Sequence, residues 1–427
     1  MESGFDNDTY LEEQTREILA RVESSSGRLY LEFGGKLMFD HHAARVLPGY
    51  DSNVKVRLLE RLRDRAEIIL CIYAGDIEKR KIRGDFGITY DADALMLIDG
   101  FRSWGILLRG VVITRFEDQH SAVSFENRLK RRGIDVFRHY YTKGYPTDVD
   151  LIVSEEGYGR NDYIEPSKPL VVVTGPGPGS GKLATCLSQL YHDFRRGVHA
   201  GYAKFETFPI WNIPLKHPVN AAYEAATADL HDVNLVDPFH LEAYGTTAIN
   251  YNRDVEAFPL LSRILGKITG DRSPYASPTD MGVNRVGFGI TDDHLVRRAA
   301  EQEIVRRYFR YSCEYVMGLA NKETVQKVEL LMGDYGLTPE SRPVVEPARR
   351  NIPAIESEDT SDRMMAAALM LKDGTMVIGR SSELMHASAA VVLNAIKKLA
   401  GIGKNIHLLS PATIESIRSL KRSINTF

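Results

Sequence analysis

From its start to about residue 210 the chain alternates apolar, strand-like runs with amphipathic, helix-like stretches. The strand candidates are Arg28–Phe33, Glu67–Tyr73, Gly110–Thr114, Val149–Ser154, Leu170–Thr174 and Tyr202–Phe208. Between them lie helical patterns at Val54–Arg65, Asp91–Trp104, Ala122–Arg132 and Lys182–Arg196. Such alternation calls for crossover connections and a largely parallel sheet. Val171-Val172-Val173 has no polar residue to turn toward water, as a strand covered on both faces requires. At 427 residues the chain is too long for one compact core. We therefore expect an α/β domain over 1–215, a mostly helical domain over 216–340, and a linker plus a small α/β domain over 341–427.

The middle stretch reads as helix, with Asp292 or Asp293 and then Asn321 as caps and Gly336 as a stop. It is interrupted at Asp271–Ile290, an irregular, Pro- and Gly-bearing segment of the kind that is usually functional or mobile. Four prolines between 338 and 362 mark the linker. In the last unit, Asp373-Gly374 predicts a hairpin between Met365–Leu371 and Thr375–Arg380. An alanine-rich helix over His386–Ala400, a strand at Ile406–Leu409 and a helix opened by Ser410-Pro411 complete a ββαβα order.

The net charge of −3 gives no reason to expect nucleic acid or a membrane surface as partner. No run of eighteen apolar residues is present, so no membrane span is expected. The N-terminus lacks the apolar core of a signal peptide. The three cysteines, Cys71, Cys186 and Cys313, form no CxxC pair, which speaks for a reducing compartment and against a thiolate zinc site. Together these features predict a cytoplasmic protein.

The strand Leu170–Thr174 runs into Gly175-Pro176-Gly177-Pro178-Gly179-Ser180-Gly181-Lys182 and then a helix. Strand, glycine loop, helix is an arrangement that binds phosphate, because loop and helix N-terminus both aim backbone N–H groups at an anion. Lys182 would add a point charge. The candidate contacts are Gly175, Gly177, Gly179, Ser180, Gly181, Lys182 and Thr185. The pattern departs from the P-loop signature. G-x-x-x-x-G-K-[ST] needs glycine at Pro176 and a hydroxyl at Leu183, so Mg²⁺ would have to rely on Thr185. G-x-G-x-x-G is not met either. A tight glycine-proline turn with no ligand is the competing explanation. Val233–Asp237 has the form of an Mg²⁺-binding strand end, but Pro238 follows and an ordinary loop Asp explains it better.

His240, Glu242, Tyr244, Asn250, Tyr251, Asn252, Arg253 and Asp254 crowd polar and aromatic groups that suit a ligand-recognising surface or equally a polar interface between domains or subunits, and three further segments carry polar groups. Gly34, Gly35 and Lys36 follow the first strand, with Asp40-His41-His42 and Arg45 just beyond. A charged run including Arg83 follows the second strand within Gly75–Asp85. Asp280 and Asn284 lie in Ser277–Asn284. In open α/β sheets ligands bind beyond the carboxyl ends of the strands. The expectation is that these segments converge with the glycine loop on one pocket. Lys36, Arg83 and Lys182 would line it with positive charge, and Asp280 and Asn284 would read the rest of a nucleotide or phosphorylated metabolite, either in an enzyme that acts on it or in a non-catalytic oligomeric protein that binds it as a sensor or scaffold. The competing placement is Ser277–Asn284 at a subunit interface. Aromatic runs such as Tyr308-Phe309-Arg310-Tyr311, with the alanine-rich helix, suggest a homo-oligomer. There is no H-E-x-x-H and no G-x-S-x-G.

Leu29–Lys36, Arg45-Val46-Leu47-Pro48-Gly49-Tyr50, Gly175–Lys182 and Ser277–Asn284 resemble an uncharacterised bacterial family, domain of unknown function 1846, over essentially the whole chain. The resemblance brings no established activity. Some members carry the label ATP-dependent peptidase, which the missing protease motifs do not support here. The last unit is similar in element order to the cytidine-deaminase-like fold. That fold's zinc chemistry needs H-A-E and P-C-x-x-C. His386-Ala387-Ser388 and Ser410-Pro411-Ala412 have neither, so no zinc is expected there.

Overall fold

The computed structural model describes residues 3–83, 87–270, 273–352, 365–382, 384–403 and 405–424. It contains a seven-stranded sheet made of β1 (Leu29–Phe33), β2 (Ala66–Tyr73), β3 (Leu107–Thr114), β4 (Val136–Arg138), β5 (Leu170–Thr174), β6 (Gly201–Phe205) and β7 (Gly282–Val283). Their order across the sheet is β7-β6-β1-β5-β2-β3-β4, and every pairing is parallel. β5 lies in the middle with all five residues buried, as its valine run demands. The chain divides into two compact units, Glu2–Glu303 and Ile304–Phe427.

Alternate residues along the strands face opposite layers. Tyr30, Ile69, Cys71, Val112, Val171, Val173 and Tyr202 share one core with the helix Lys182–Arg195 and the helix Asn252–Thr269. The other parity includes Phe33 and Phe205, whose rings stack with centroids 3.9 Å apart. The ammonium of Lys55, from the helix Val54–Arg61, lies 5.9 Å from the Phe205 ring. Residues beyond 215 therefore add to the sheet: β7 extends its edge, and the helix Asn252–Thr269 covers one face.

Several local expectations fail for physical reasons. Val149–Ser154 is apolar enough for a strand, but Asp148 accepts a hydrogen bond from the Leu151 N–H at 3.0 Å and starts a short helix, Val149–Ile152. The strand between β3 and β5 is instead Val136–Arg138, too short and half-buried to stand out. In the second unit the hairpin forms as expected, with Ala366–Met370 paired to Met376–Arg380. The helix Ala387–Leu399 packs Val391 and Ala395 against Val377. Ile406–Leu409 is not a strand, so among the described residues the order is strand, strand, helix, helix, and the deaminase-like order is not reproduced. The second half of the proline-bearing linker, from Pro353, lies outside the described residues, as do Asp85 and Asp271. Among the described residues no helix is long and apolar enough to cross a membrane.

One buried polar knot ties β1 to the helix after β5. The fully buried Asp193 carboxylate accepts from Arg28 Nη1 at 2.9 Å, the Tyr30 hydroxyl at 2.8 Å and the Tyr163 hydroxyl at 2.7 Å. Removing one partner of a buried pair strands the other without solvation. Asp193→Ala should lower stability to chemical denaturation by about 3–5 kcal/mol. Lys143→Ala, which breaks an exposed pair with Glu156 at 3.0 Å, should change it by less than about 0.5 kcal/mol.

Candidate functional site

The strand order makes β5 and β2 neighbours whose connections run in opposite directions: β5 leads left to β6, and β2 leads right to β3. Right-handed crossovers place those connections on opposite faces, which opens the carboxyl edge between the two strands. The glycine loop leaves β5 at that point. At Gly175 a Cβ would run into the Cys71 carbonyl of β2 and the Ser180 side chain. Gly181 has φ of +93°, where an L side chain is strained, and a Cβ there would also strike Thr114 of β3. Thr114 Oγ1 donates to the Ser180 carbonyl at 2.8 Å. Arg115 donates to the Gly179 carbonyl and lies over the Tyr73 ring. Tyr90 stands against Gly177. Tyr90 from the connection after β2 and Arg115 from the connection after β3 thus meet the loop.

The loop leaves donors uncommitted. Among the described residues, no backbone N–H of Gly177, Gly179, Ser180, Gly181, Lys182, Leu183 or Ala184 donates to a protein oxygen; the first that does is Thr185, to the Gly181 carbonyl at 3.0 Å. Lys182 Nζ folds back to the Gly177 carbonyl at 3.4 Å. The Ser180 hydroxyl is buried without a hydrogen-bond partner.

Other candidate residues lie elsewhere or are engaged. Thr185 is fully buried; its hydroxyl accepts from Cys71 Sγ at 3.3 Å and faces His139 Nδ1 at 3.4 Å. Burial holds the His139 ring neutral, with its pKa lowered to about 4. Arg83 is paired with Asp93. Asp280 binds Tyr244 Oη at 2.7 Å and the Ala276 N–H at 3.1 Å, in a turn ahead of the edge strand β7. Asn284 Nδ2 donates to the Pro209 carbonyl at 3.0 Å, and its Oδ1 accepts the Val286 N–H at 3.2 Å. No hydrogen bond or ion pair among the described residues links Asp280 or Asn284 to the glycine loop. Asp237 is a helix cap, accepting from Phe239 N, His240 N and Thr279 Oγ1. Gly34 donates to the Phe205 carbonyl at 2.9 Å, which sets it beside Glu206. Gly35 and the half-buried Lys36 follow it.

The most heavily charged part of this edge joins Tyr251 and Asp254, from the polar run at His240–Asp254 that the sequence marks, to Glu32, Lys204 and Glu206, which it does not. Glu32 on β1 is in register with Lys204 on β6, and both share the parity of Tyr30 and Tyr202. Lys204 Nζ contacts Glu206 Oε1 at 2.8 Å, the Tyr251 hydroxyl at 2.5 Å, and Asp254. The side chains of Lys204, Glu206 and Asp254 are 14%, 12% and 16% exposed, so they are largely desolvated yet reachable from solvent. The Tyr251 hydroxyl also donates to Glu206 at 3.3 Å. The Tyr202 hydroxyl donates to Glu32 at 2.8 Å. Two carboxylates compete for one ammonium. Burial, then the Asp254 charge, push the Glu206 carboxyl up to about 7 against the pull of Lys204. Lys204 stays charged, because Asp254, Glu206 and Glu32 outweigh the burial that works against it. The available signal was a Glu and a Lys each one residue from the end of a short strand with few other polar residues.

The Cys186 thiol is raised chiefly by burial and further by the Glu32 charge, and is pulled back by Lys182. Among the described residues no group of three or more His, Cys, Asp or Glu side chains is placed to hold a metal ion.

A parallel α/β sheet with a glycine loop at its switch point defines the class of protein. The family model described as "Domain of unknown function DUF1846, N-terminal" matches residues 3–336, and its C-terminal counterpart matches 340–426. The chain belongs to the DUF1846 family. It is 59% identical over 422 residues to a UPF0371 protein of Clostridium botulinum (strain Langeland), covering 99% of this chain and 84% of that one. A UPF0371 protein of Clostridium tetani (strain Massachusetts) is 57% identical, and one of Clostridium botulinum (strain Alaska E43) 58%, with the same coverage.

Because Glu206 binds its proton more tightly when folded than at its ordinary 4.5, its contribution to stability is complete below pH 4.5 and is lost as pH rises through about 7. Glu206→Gln cannot ionise. Its stability relative to the native chain should rise between those pH values and level off above them, by on the order of 1–3 kcal/mol. Urea unfolding at pH 5 and pH 8 measures it; equal differences at both would contradict the assignment.

Proposed function

We propose that the chain binds a small phosphorylated ligand, a nucleotide or phosphometabolite, at the glycine loop. The observation that carries this reading is the set of uncommitted N–H groups from Gly177 to Ala184, at the carboxyl edge where the connections of an open sheet diverge. Helix N-terminal amides alone are a common surplus. Here the loop amides add to them, Lys182 supplies the charge, and the partnerless, buried Ser180 hydroxyl supplies one more polar group. In this reading Lys182 leaves the Gly177 carbonyl for the phosphate. Gly34 and Gly35 belong to the same edge. Asp280 and Asn284 are better placed as structural groups. Mg²⁺ would not be held by Thr185, whose hydroxyl is spent in the interior.

The test is thermal unfolding with a panel of nucleotides and phosphorylated metabolites. A ligand at 100 times its Kd stabilises by about 2.7 kcal/mol. The stabilising compounds should share a phosphate, and Lys182→Ala should abolish the shift without changing the melting of the ligand-free protein. A panel with no phosphate-dependent shift would sink the reading.

We also propose that the protein is cytoplasmic and self-associates into an even-numbered homo-oligomer. The helix Ala387–Leu399 leaves Val392, Ile396 and Leu399 exposed, which favours association. Light scattering at micromolar concentration should give a mass at least twice that of the 47.9 kDa chain; a monomer would refute this.

A further inference from the structure

We propose that the glycine loop takes a diphosphate, two linked phosphate groups, and that Arg115 is its second cationic contact beside Lys182. This names the ligand class of the phosphate reading and rests on it.

The argument begins with what surrounds the loop. Its contacts lie toward the ends of β2 and β3. The Cys71 carbonyl closes off Gly175, Thr114 closes off Gly181, and the Tyr90 ring closes off Gly177. Gly179 is different: it is exposed, and no atom lies within 4 Å of where a side chain there would begin. The loop is therefore walled along its inner turn and open at Gly179. Arg115 stands at that opening. It is the first residue after β3, and its guanidinium donates to the Gly179 carbonyl while lying 3.4 Å from the centroid of the Tyr73 ring at the end of β2.

The second step is charge. Lys182 Nζ rests on the Gly177 carbonyl at 3.4 Å. The two cations are thus held on carbonyls of one short loop, two residues and so no more than about 7 Å of chain apart. Among the described residues neither is paired with a carboxylate. Glu117 and Asp118, which follow Arg115, are exposed to solvent. Asp76, from the connection after β2, is held by Lys81 at 3.5 Å. A carbonyl is a neutral acceptor, and a phosphate oxygen is a stronger one. An anion at the amides would therefore draw both cations from their resting places onto itself.

The third step is capacity. One phosphate group presents three terminal oxygens. The seven uncommitted amides between Gly177 and Ala184 already exceed two donors for each. The Ser180 hydroxyl, 3% exposed, without a partner and turned against Gly175 inside the loop, adds another. Lys182 can complete a phosphate held in this inner turn. The guanidinium of Arg115 is left over, and its fork of N–H donors matches a second pair of phosphate oxygens. Whatever is attached to the first phosphate leaves through the opening at Gly179, past Arg115. A second phosphate is the group that an unpaired guanidinium at that opening suits best.

The experiment titrates the full chain, by calorimetry and thermal unfolding, with inorganic phosphate against pyrophosphate and with AMP against ADP. Pyrophosphate and ADP should each bind at least about tenfold tighter than their monophosphate counterparts, the worth of one charge-assisted contact. Arg115→Gln should remove that preference and leave the affinity for inorganic phosphate little changed. Lys182→Ala should weaken all four. Arg115 has φ of +49°, which glycine adopts without strain, so Arg115→Gly is the second variant should the first not fold, with the same loss expected. Equal binding of the mono- and diphosphates would overturn this proposal and leave the phosphate reading standing. So would a preference that survives in the Arg115 variants, or a loss of phosphate binding in them as large as the loss of pyrophosphate binding, which is general attraction only. Stabilisation by other phosphate compounds without any by pyrophosphate or ADP would reject it as well. No phosphate-dependent shift from any compound would remove both.

Discussion

Opposed chain direction after β5 and β2 is the constraint on which the rest of this structure depends. An all-parallel sheet must send each connection over a face, and handedness decides which. Because β5 is inserted between β1 and β2, its connection must return the way the earlier ones came. That reversal pulls the chain apart at one point of the carboxyl edge. The backbone there passes close to two neighbouring strand ends, the Cys71 carbonyl and Thr114, which leaves no room for side chains at Gly175 and Gly181. The glycines are explained by this close passage alone. What the packing does not consume is the row of N–H groups that follows.

The second constraint is charge in the layer between strands and helices. Desolvating an ion is costly unless it is paired. Asp193 meets that demand with three donors and binds β1 to the helix behind it. The Lys204 group does not balance: it holds more carboxylate than ammonium and leaves Glu206 with a proton affinity far from that of a solvated glutamate. Structural ion pairs also perturb neighbours, but here more carboxylate than ammonium stands at a strand end that solvent reaches. The contrast between the two groups separates an anchor from a candidate site.

Much of the framework was legible in the sequence. Five of the six strand candidates correspond to sheet strands, because β1, β2, β3, β5 and β6 are long enough or apolar enough to show. The glycine loop was legible through its composition, and its position after a central strand through the valine run. Val149–Ile152 misled because a single capping contact from Asp148 outweighed β propensity. β4 and β7, of three and two residues, were invisible because pairing and not periodicity makes them strands. The Lys204 group was visible only in part, through Tyr251 and Asp254 in their polar run, and the rest was hidden for a different reason. Its members come from positions 32, 204, 206, 251 and 254, and nothing in local sequence says that Glu32 and Lys204 stand in register. Asp280 and Asn284 looked like ligand residues because polar loops often are. Their side chains instead satisfy backbone groups of their own turns and of the segment at Pro209.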